Sequence, residues 1–442
     1  MSRFPPPDPV ADALQERFGP EFGAAFAGQG RFSLEPLRAT LAALGHPERA
    51  LPPVIHIAGT NGKGSCAAFC AAILGAAGLR VHRFTQPHLF STCERIAPLG
   101  TPITEKGFLA LIDRVAAVAA PGLSHFEAQT ACAFLAFAET PADAAVIEVG
   151  VGGKDDATVV IPKPAVSVIT RIGRDHLALL GPTLPLVALA KAGIVKPGAP
   201  VVTAPQEDPA IDRIFEAAAM RARSPLLMGG LDWTVHPAGA GFFLDTESAS
   251  YHLPQPSLPG AHQYENAALA ALACLTLAPD HLTEDVMAQG IAGARWPGRL
   301  QRLRAGPLAA IAQAAKAALF VDGGHNPDAA DALAVWIRSQ PETACVLVVG
   351  MMADKDLPGF IAPLAPVVRG VVTVPAKGPR PSARPADLRA AVRAHGHAAL
   401  NAGNLGDAVV KAAGLLPATG GRILIAGSLG LAAEALWSET SA

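Results

Sequence analysis

The sequence predicts an α/β protein of two domains, each built on a mainly parallel sheet. Size and composition come first: 442 residues, half of them apolar and only 16% charged, are too many for one ordinary core and too apolar for disorder. Second, short apolar runs are followed again and again by a glycine-rich turn and an Ala/Leu helix, the pattern of parallel strands joined by helical crossovers. Third, this alternation breaks at Arg295-Trp296-Pro297-Gly298-Arg299, where Pro and Gly interrupt a helical pattern, and then restarts. Domains over 1–295 and 296–442 follow, the second of ordinary size.

In order along the chain, Val54–Ala58 reads as a buried strand that runs into GTNGKGS and the helix-like CAAFCAAILGAAGL. Ala144–Val149 leads into GVGGKDDA, and Val166–Thr170 into RIGRDH. Ligands of such sheets bind outside the carboxyl ends of the strands, where all three of these runs present polar residues. Trp233–Val235 and Phe242–Leu244, with Pro and Gly between them, suggest a hairpin excursion. A helix follows in PGAHQYENAALAALACLTL. Beyond the break, Leu319–Asp322, Ala344–Gly350, Gly370–Val374 and Ile423–Gly427 each read as a strand of a second, smaller α/β domain.

The net charge of −2 offers no general attraction to nucleic acid or to anionic membranes, so a small anionic substrate must be held by local groups. The six cysteines are scattered and complete no zinc set, which reads as reduced, apolar use. No apolar signal core opens the chain, and runs such as Gly64–Leu79 are too short to span a bilayer, so a cytoplasmic location is expected.

The chemistry concentrates at Gly59-Thr60-Asn61-Gly62-Lys63-Gly64-Ser65, between a strand and a helix. Glycines let backbone approach phosphate oxygens, amides at a helix start favour negative charge, Lys63 adds a point charge and Ser65 a hydroxyl near Mg²⁺. The ordinary Walker pattern is altered: Ile57 holds the first glycine's place and Gly64 separates Lys63 from Ser65. A glycine-rich turn without function is the rival reading. Glu148 ends a strand and faces the crevice, where a carboxylate is costly unless a cation is near. A capping or salt-bridged glutamate is the alternative there. His176 lies in the turn after the next strand, and Lys191 reads by itself as an exposed helix lysine.

GTNGKGS resembles the phosphate loop of the Mur-type amide ligases, and its GKGS ending resembles the folylpolyglutamate synthase branch. TQPHL with ERI, FEAQT, EVGVGGKDDAT, IGRDH, KAGIVKPG, LPGAHQYEN, WPGR, DGGHNP, MADKD and AGSL follow in the family's order across residues 85–429. The resemblance implies a P-loop ATPase-type domain with a folate site, followed by a smaller Rossmann-like domain. It implies an ATP-dependent ligase that adds L-glutamate to dihydropteroate or tetrahydrofolate tails through an acyl phosphate. One or two Mg²⁺ ions would be held by Ser65, Gln86, Glu148, His176 and a carbamylated Lys191. ATP would be bound by the phosphate loop, Asn266, Arg299, Asp322 and His325, with Lys63, Lys191, Asp322 and His325 taking part in catalysis. Substrate contacts would fall at Arg95, Phe126, Glu127, Lys154, Asp156 and Ser428. A monomer is expected, with no nucleic-acid or membrane partner.

Two departures bear on that pattern. Gln86 stands where the family has a serine in the metal shell. Lys154, Asp155 and Val159 replace an arginine, a leucine and an asparagine of the loop after Glu148, and lysine does not reproduce arginine's bidentate fork. Two rivals remain at this level. A peptidoglycan ligase of the same superfamily would carry a separate N-terminal domain, for which the roughly 50 residues before the first strand are too few. A nucleotide-binding regulator without chemistry would have no need of Lys63, Glu148, His176 and Lys191 together.

Overall fold

Val54–Ala58 (β1) is buried along its whole length because it is the middle strand of a seven-stranded sheet. The others are β2 (Val81–Phe84), β3 (Ile96–Ala97), β4 (Ala144–Glu148), β5 (Val166–Ile169), β6 (Val201–Thr203) and β7 (Leu226–Met228). Their order is β3-β2-β4-β1-β5-β6-β7, parallel throughout except for the short edge strand β3. β4 and β5 flank β1, with Ile57 level with Glu148 on one side and Val168 on the other. The chain leaves β1 toward β2 but leaves β4 toward β5, so the crossovers part at the carboxyl end of β1. That is where a crevice opens in sheets of this kind.

This computed structural model describes residues 4, 6–21, 33–341, 343–378 and 380–440. Its contacts divide into two units: a larger one of Asp8–Ser257 with Gln263–Arg295, and a smaller one of Met1–Pro7, Leu258–His262 and Trp296–Ala442. Leu258–His262, which precedes the break at 295–299, thus groups with the smaller unit.

In the larger unit, helices Pro9–Phe18, Glu35–Ala43, Glu105–Val118 and His125–Ala138 bury Leu14, Leu41, Phe108 and Phe134 with Phe84 and Ile147 of the sheet. A second cluster joins Ile169 and Val201 to Phe215 and Ala188 of helices Pro209–Ala222 and Leu184–Lys191. The expected hairpin is a three-stranded antiparallel meander: β8 (Trp233–Ala238), β9 (Gly241–Thr246) and β10 (Ser250–Pro254). Its third strand, SYHLP, has little apolar alternation and so went unread.

The smaller unit carries a six-stranded sheet in the order β11-β12-β16-β13-β14-β15. These strands are β11 (Gln301–Leu303), β12 (Ala317–Val321), β13 (Cys345–Val349), β14 (Gly370–Thr373), β15 (Ala399–Asn401) and β16 (Gly421–Ala426). Only β11 runs antiparallel. The four apolar runs of the sequence are β12, β13, β14 and β16. The edge strands β11 and β15, three residues each and half-exposed, carry no such signal.

No helix among the described residues is long and apolar enough to cross a membrane. All six cysteines are free thiols. Three of them, Cys66, Cys70 and Cys274, lie between helices Lys63–Ala76 and His262–Leu277, where Cys274 Sγ donates to the Cys70 carbonyl at 3.6 Å. Helix Glu284–Gly293 comes so close to the first of these that a Cβ on Gly290 would lie 2.4 Å from Ile73 Cα. Gly290→Ala should therefore lower stability by about 1–3 kcal/mol, the usual cost of overpacking, measured as a shift in urea midpoint at unchanged slope.

Candidate active site

The turn after β1 is shaped by two glycines whose backbone conformations other residues adopt only with strain. Gly59 has φ +141°, and a Cβ there would sit 1.8 Å from Thr170 Oγ1 at the end of β5. Gly62 has φ +93°, with Asn266 Oδ1 2.4 Å from the place of its Cβ. Both conformations are open to glycine and strained for other residues. Helix Lys63–Ala76 starts directly from this turn. Thr60 fixes the loop from the other side: its N–H donates to the Arg171 carbonyl at 2.9 Å, and its hydroxyl exchanges hydrogen bonds with Gly173 at 3.0 and 3.2 Å. Lys63 Nζ donates to the Thr60 carbonyl at 3.2 Å. Buried Ser65 accepts from Gln263 Nε2 at 3.3 Å, and Gln263 in turn accepts from Asn266 at 3.0 Å.

Glu148, 3% exposed at the end of β4, accepts the Gln86 backbone N–H at 3.2 Å. The Cys66 thiol is pushed up by its hydrogen bond with Cys70, by burial and by the Glu148 charge. A carboxylate and a hydroxyl at one sheet edge suit a hard cation. Gln86 meets Glu148 through its backbone, while its side-chain Nε2 is buried with no hydrogen-bond partner. His176 has φ +52° and its backbone N–H donates to Asp175 Oδ1 at 2.9 Å, with Nε2 3.9 Å from Asp175 Oδ2. Among the described residues no three His, Cys, Asp or Glu side chains cluster as a metal cage. The donors implied by the resemblance are mixed, and Mg²⁺ commonly keeps several waters.

Lys191 is a buried residue, 5% exposed, in contrast to the exposed helix lysine its sequence context suggested. Its Nζ donates to the Gly59 carbonyl at 2.7 Å. Burial, and then the Lys63 charge, push this amine down to about 7, against the pull of Asp175 and Asp156.

The Gly150–Gly153 loop packs against the Lys191 segment. A Cβ on Gly153 would lie 2.9 Å from the Ala190 and Lys191 carbonyls, and Lys154 N donates to the Ala190 carbonyl at 2.8 Å. The Lys154 side chain is exposed. Asp156 is buried, and four donors fill its carboxylate: Gly150 N, Val151 N, Thr158 N and Thr158 Oγ1 at 2.6–3.0 Å. Burial pushes this carboxyl up while those hydrogen bonds pull it down.

The other residues expected at the substrate are engaged within the fold. Arg95, 2% exposed, donates from Nε to His88 at 2.9 Å and from one terminal nitrogen to Gln129 at 3.0 Å, and pairs with Glu21 at 2.6 Å. Glu127 closes a capping box with Ser124 at the start of helix His125–Ala138. Phe126 lies over Gly150, whose Cβ would be 2.9 Å from its ring, and stacks on Phe84 at 6.3 Å. In the smaller unit, Ser428 accepts the Leu431 N–H at 3.1 Å, as a helix cap does. Asp322 accepts from Gly324 N at 2.7 Å and Leu300 N at 2.9 Å, joining the turn after β12 to the segment that carries Arg299. His325 Nδ1 meets the Gly323 carbonyl at 2.9 Å, and Arg299 packs on Gly323, so Arg299, Asp322 and His325 share one end of that sheet.

Comparison with known proteins follows the same division. Residues 57–274 match the Mur ligase middle domain, and residues 298–429 match the glutamate ligase domain of Mur ligases. A dihydrofolate synthase/folylpolyglutamate synthase of Bacillus subtilis is 33% identical over 366 residues, covering 78% of this chain and 82% of the relative. That of Mycobacterium tuberculosis is 35% identical over 380 residues, covering 79% and 75%. The chain belongs to the dihydrofolate synthase/folylpolyglutamate synthase family of Mur ligases. Among solved structures of the family, E. coli FolC in complex with DHPP and ADP has a TM-score of 0.84 at 27% identity, covering 98% of this chain and 97% of that one. Mycobacterium tuberculosis folylpolyglutamate synthase complexed with ADP has a TM-score of 0.83 at 32% identity, with 97% of each covered.

Sequence reasoning missed Thr170, Gln263 and Glu21, whose parts in this family fold depend on partners far along the chain. For Thr170 the only signal was its place at the end of β5. Gly59→Ala should remove nucleotide binding by at least about tenfold, because both φ and the Thr170 contact forbid a side chain. Isothermal titration with ADP measures this, and unchanged affinity would refute the close-packing account.

Proposed function

We propose that the chain is an ATP-dependent ligase that joins L-glutamate to dihydropteroate, to folate glutamate tails, or to both. The observation carrying this reading is the glycine turn 59–65, held by Thr170 and Arg171, with Lys63 and a buried Lys191 within electrostatic reach of each other. Two amines converging on a glycine-rich loop at a helix start suit a polyphosphate. Family membership supplies the acceptor: the relatives are named for dihydrofolate and folylpolyglutamate synthesis, and one solved relative is described with Mn, AMPPNP and L-glutamate bound.

In this reading the substrate carboxylate takes the γ-phosphoryl group of ATP, giving an acyl phosphate and ADP. Glutamate's amine then attacks the acyl carbon, and phosphate leaves. Lys63 neutralises charge on the transferring phosphoryl group, and Asn266 lines the loop at Gly62. Arg299, Asp322 and His325 of the smaller unit would bind nucleotide. A Mg²⁺ ion would be held by Ser65, Glu148 and His176, with Gln86 and Lys191 as further donors, and supplies positive charge for the phosphates.

Lys191 would donate oxygen as a carbamate. Its neutral amine attacks CO₂, the N–C bond forms and one proton is released. Burial, which removes the amine's charge near neutral pH, favours this reaction. With ¹³C-bicarbonate, a carbamate carbon resonance should appear in the wild type and be absent in Lys191→Ala. A wild type without that resonance refutes the carbamate.

Phosphate release that requires glutamate and a pteroate together tests the ligase reading, and ATP cleavage indifferent to both would overturn it. Lys63→Ala should lower that rate by at least about a hundredfold, the scale of losing a charge-stabilising donor, with the circular dichroism spectrum unchanged.

A further inference from the structure

A buried histidine two residues before the end of β1 is absorbed neither by the phosphate loop nor by the hydrophobic core. His56 is fully buried between Ile55 and Ile57, and its Nε2 lies 2.8 Å from Thr158 Oγ1. Thr158 Oγ1 lies 2.6 Å from Asp156 Oδ1. A hydroxyl has one hydrogen to give, and a carboxylate already accepting from three backbone N–H groups can only accept it. Thr158 therefore donates to Asp156 and accepts from His56, which fixes the imidazole as the Nε2–H tautomer. The other ring nitrogen, Nδ1, is buried with no hydrogen-bond partner, an arrangement that costs stability. A valine or isoleucine in this strand would carry no such cost, so the ring's contribution lies in its one hydrogen bond.

That bond stands at the head of a continuous chain. Asp156 Oδ2 gathers the N–H groups of Gly150 and Val151, both at 3.0 Å, and so sets the path of the loop that follows Glu148. Phe126 lies over Gly150, and Gly153 lies against the carbonyls of Ala190 and Lys191. We propose that His56, Thr158 and Asp156 form a buried positioning relay that shapes the Gly150–Gly153 loop, and with it the Phe126 and Asp156 positions at which the ligase reading places the pteroate substrate. The phosphate loop has its own ties to Arg171 and Gly173 besides the Lys191 bond to Gly59, so the relay weighs more on the pteroate substrate than on ATP. This rests on the ligase reading, and one arm of the test is independent of it.

The independent arm is the ¹⁵N spectrum of His56 in the wild-type protein at neutral pH, assigned by comparison with His56→Gln. A single neutral Nε2–H tautomer is expected, and an Nδ1–H tautomer overturns the relay whatever the enzyme's substrate. The kinetic arm compares His56→Phe, which keeps an aromatic ring without the donor, with His56→Gln, whose amide can reach Thr158. His56→Phe and Thr158→Val should each raise KM for dihydropteroate roughly tenfold, the scale of one lost hydrogen bond to a charged network, with kcat and KM for ATP within about twofold. The double variant should be no worse than Thr158→Val alone, because that variant already removes the His56 link together with the hydroxyl bond to Asp156. His56→Gln should restore KM to within about threefold of the wild type. Additive losses, or a His56→Gln variant as impaired as His56→Phe, would show the ring to be mere core packing and refute the proposal.

Discussion

The larger unit is organised around a contact that leaves no room for a side chain: the backbone of Gly59 against the Thr170 hydroxyl, with the Gly59 carbonyl held by Lys191 at 2.7 Å. Three segments distant in sequence meet there: the end of β1, the end of β5 and the last turn of helix Leu184–Lys191. β1 can bring its glycine so close because β4 and β5 pair with it in parallel register on either side, fixing their carboxyl ends at one level. Asn266 then closes on Gly62 from the Cys70–Cys274 helix pair. The turn is thus defined by backbone close to neighbours, and its amides are ordered by the fold before any anion arrives, which lowers the cost of binding one.

Much of this was legible in the sequence, for a physical reason. Buried parallel strands must be continuous apolar runs, and the turns after them must carry glycines, so β1, β4, β5, β12, β13, β14 and β16 declare themselves. Short edge strands such as β11 and β15 bury little and leave no trace. At the site, the loop glycines and Lys63 are local signals. Glu127 and Ser428 carry a role that the sequence reading did not include: each is a polar residue at a helix start, where capping the backbone engages the same oxygens a ligand would use. Arg95 shows what one-dimensional reading cannot reach. Its ion pair with Glu21 and its bond to Gln129 join residues separated by tens of positions, and no periodicity encodes that.

A chain with so few charges must do its electrostatics locally, and the positions of the charges reflect this. Burial, and then the charge of Lys63, push the Lys191 amine down to about 7, while Asp175 and Asp156 act to retain its proton. Asp156 cannot offset the cation by a direct pair, since its four acceptor positions are already taken by the loop and by Thr158. A group bringing negative charge between the two amines would relieve their repulsion, whether it is a phosphate near Lys63 or a carboxyl group added to Lys191. Lys63, and Lys191 when protonated, therefore favour an anion in this site through local charge, with a net molecular charge of only −2 doing none of the steering.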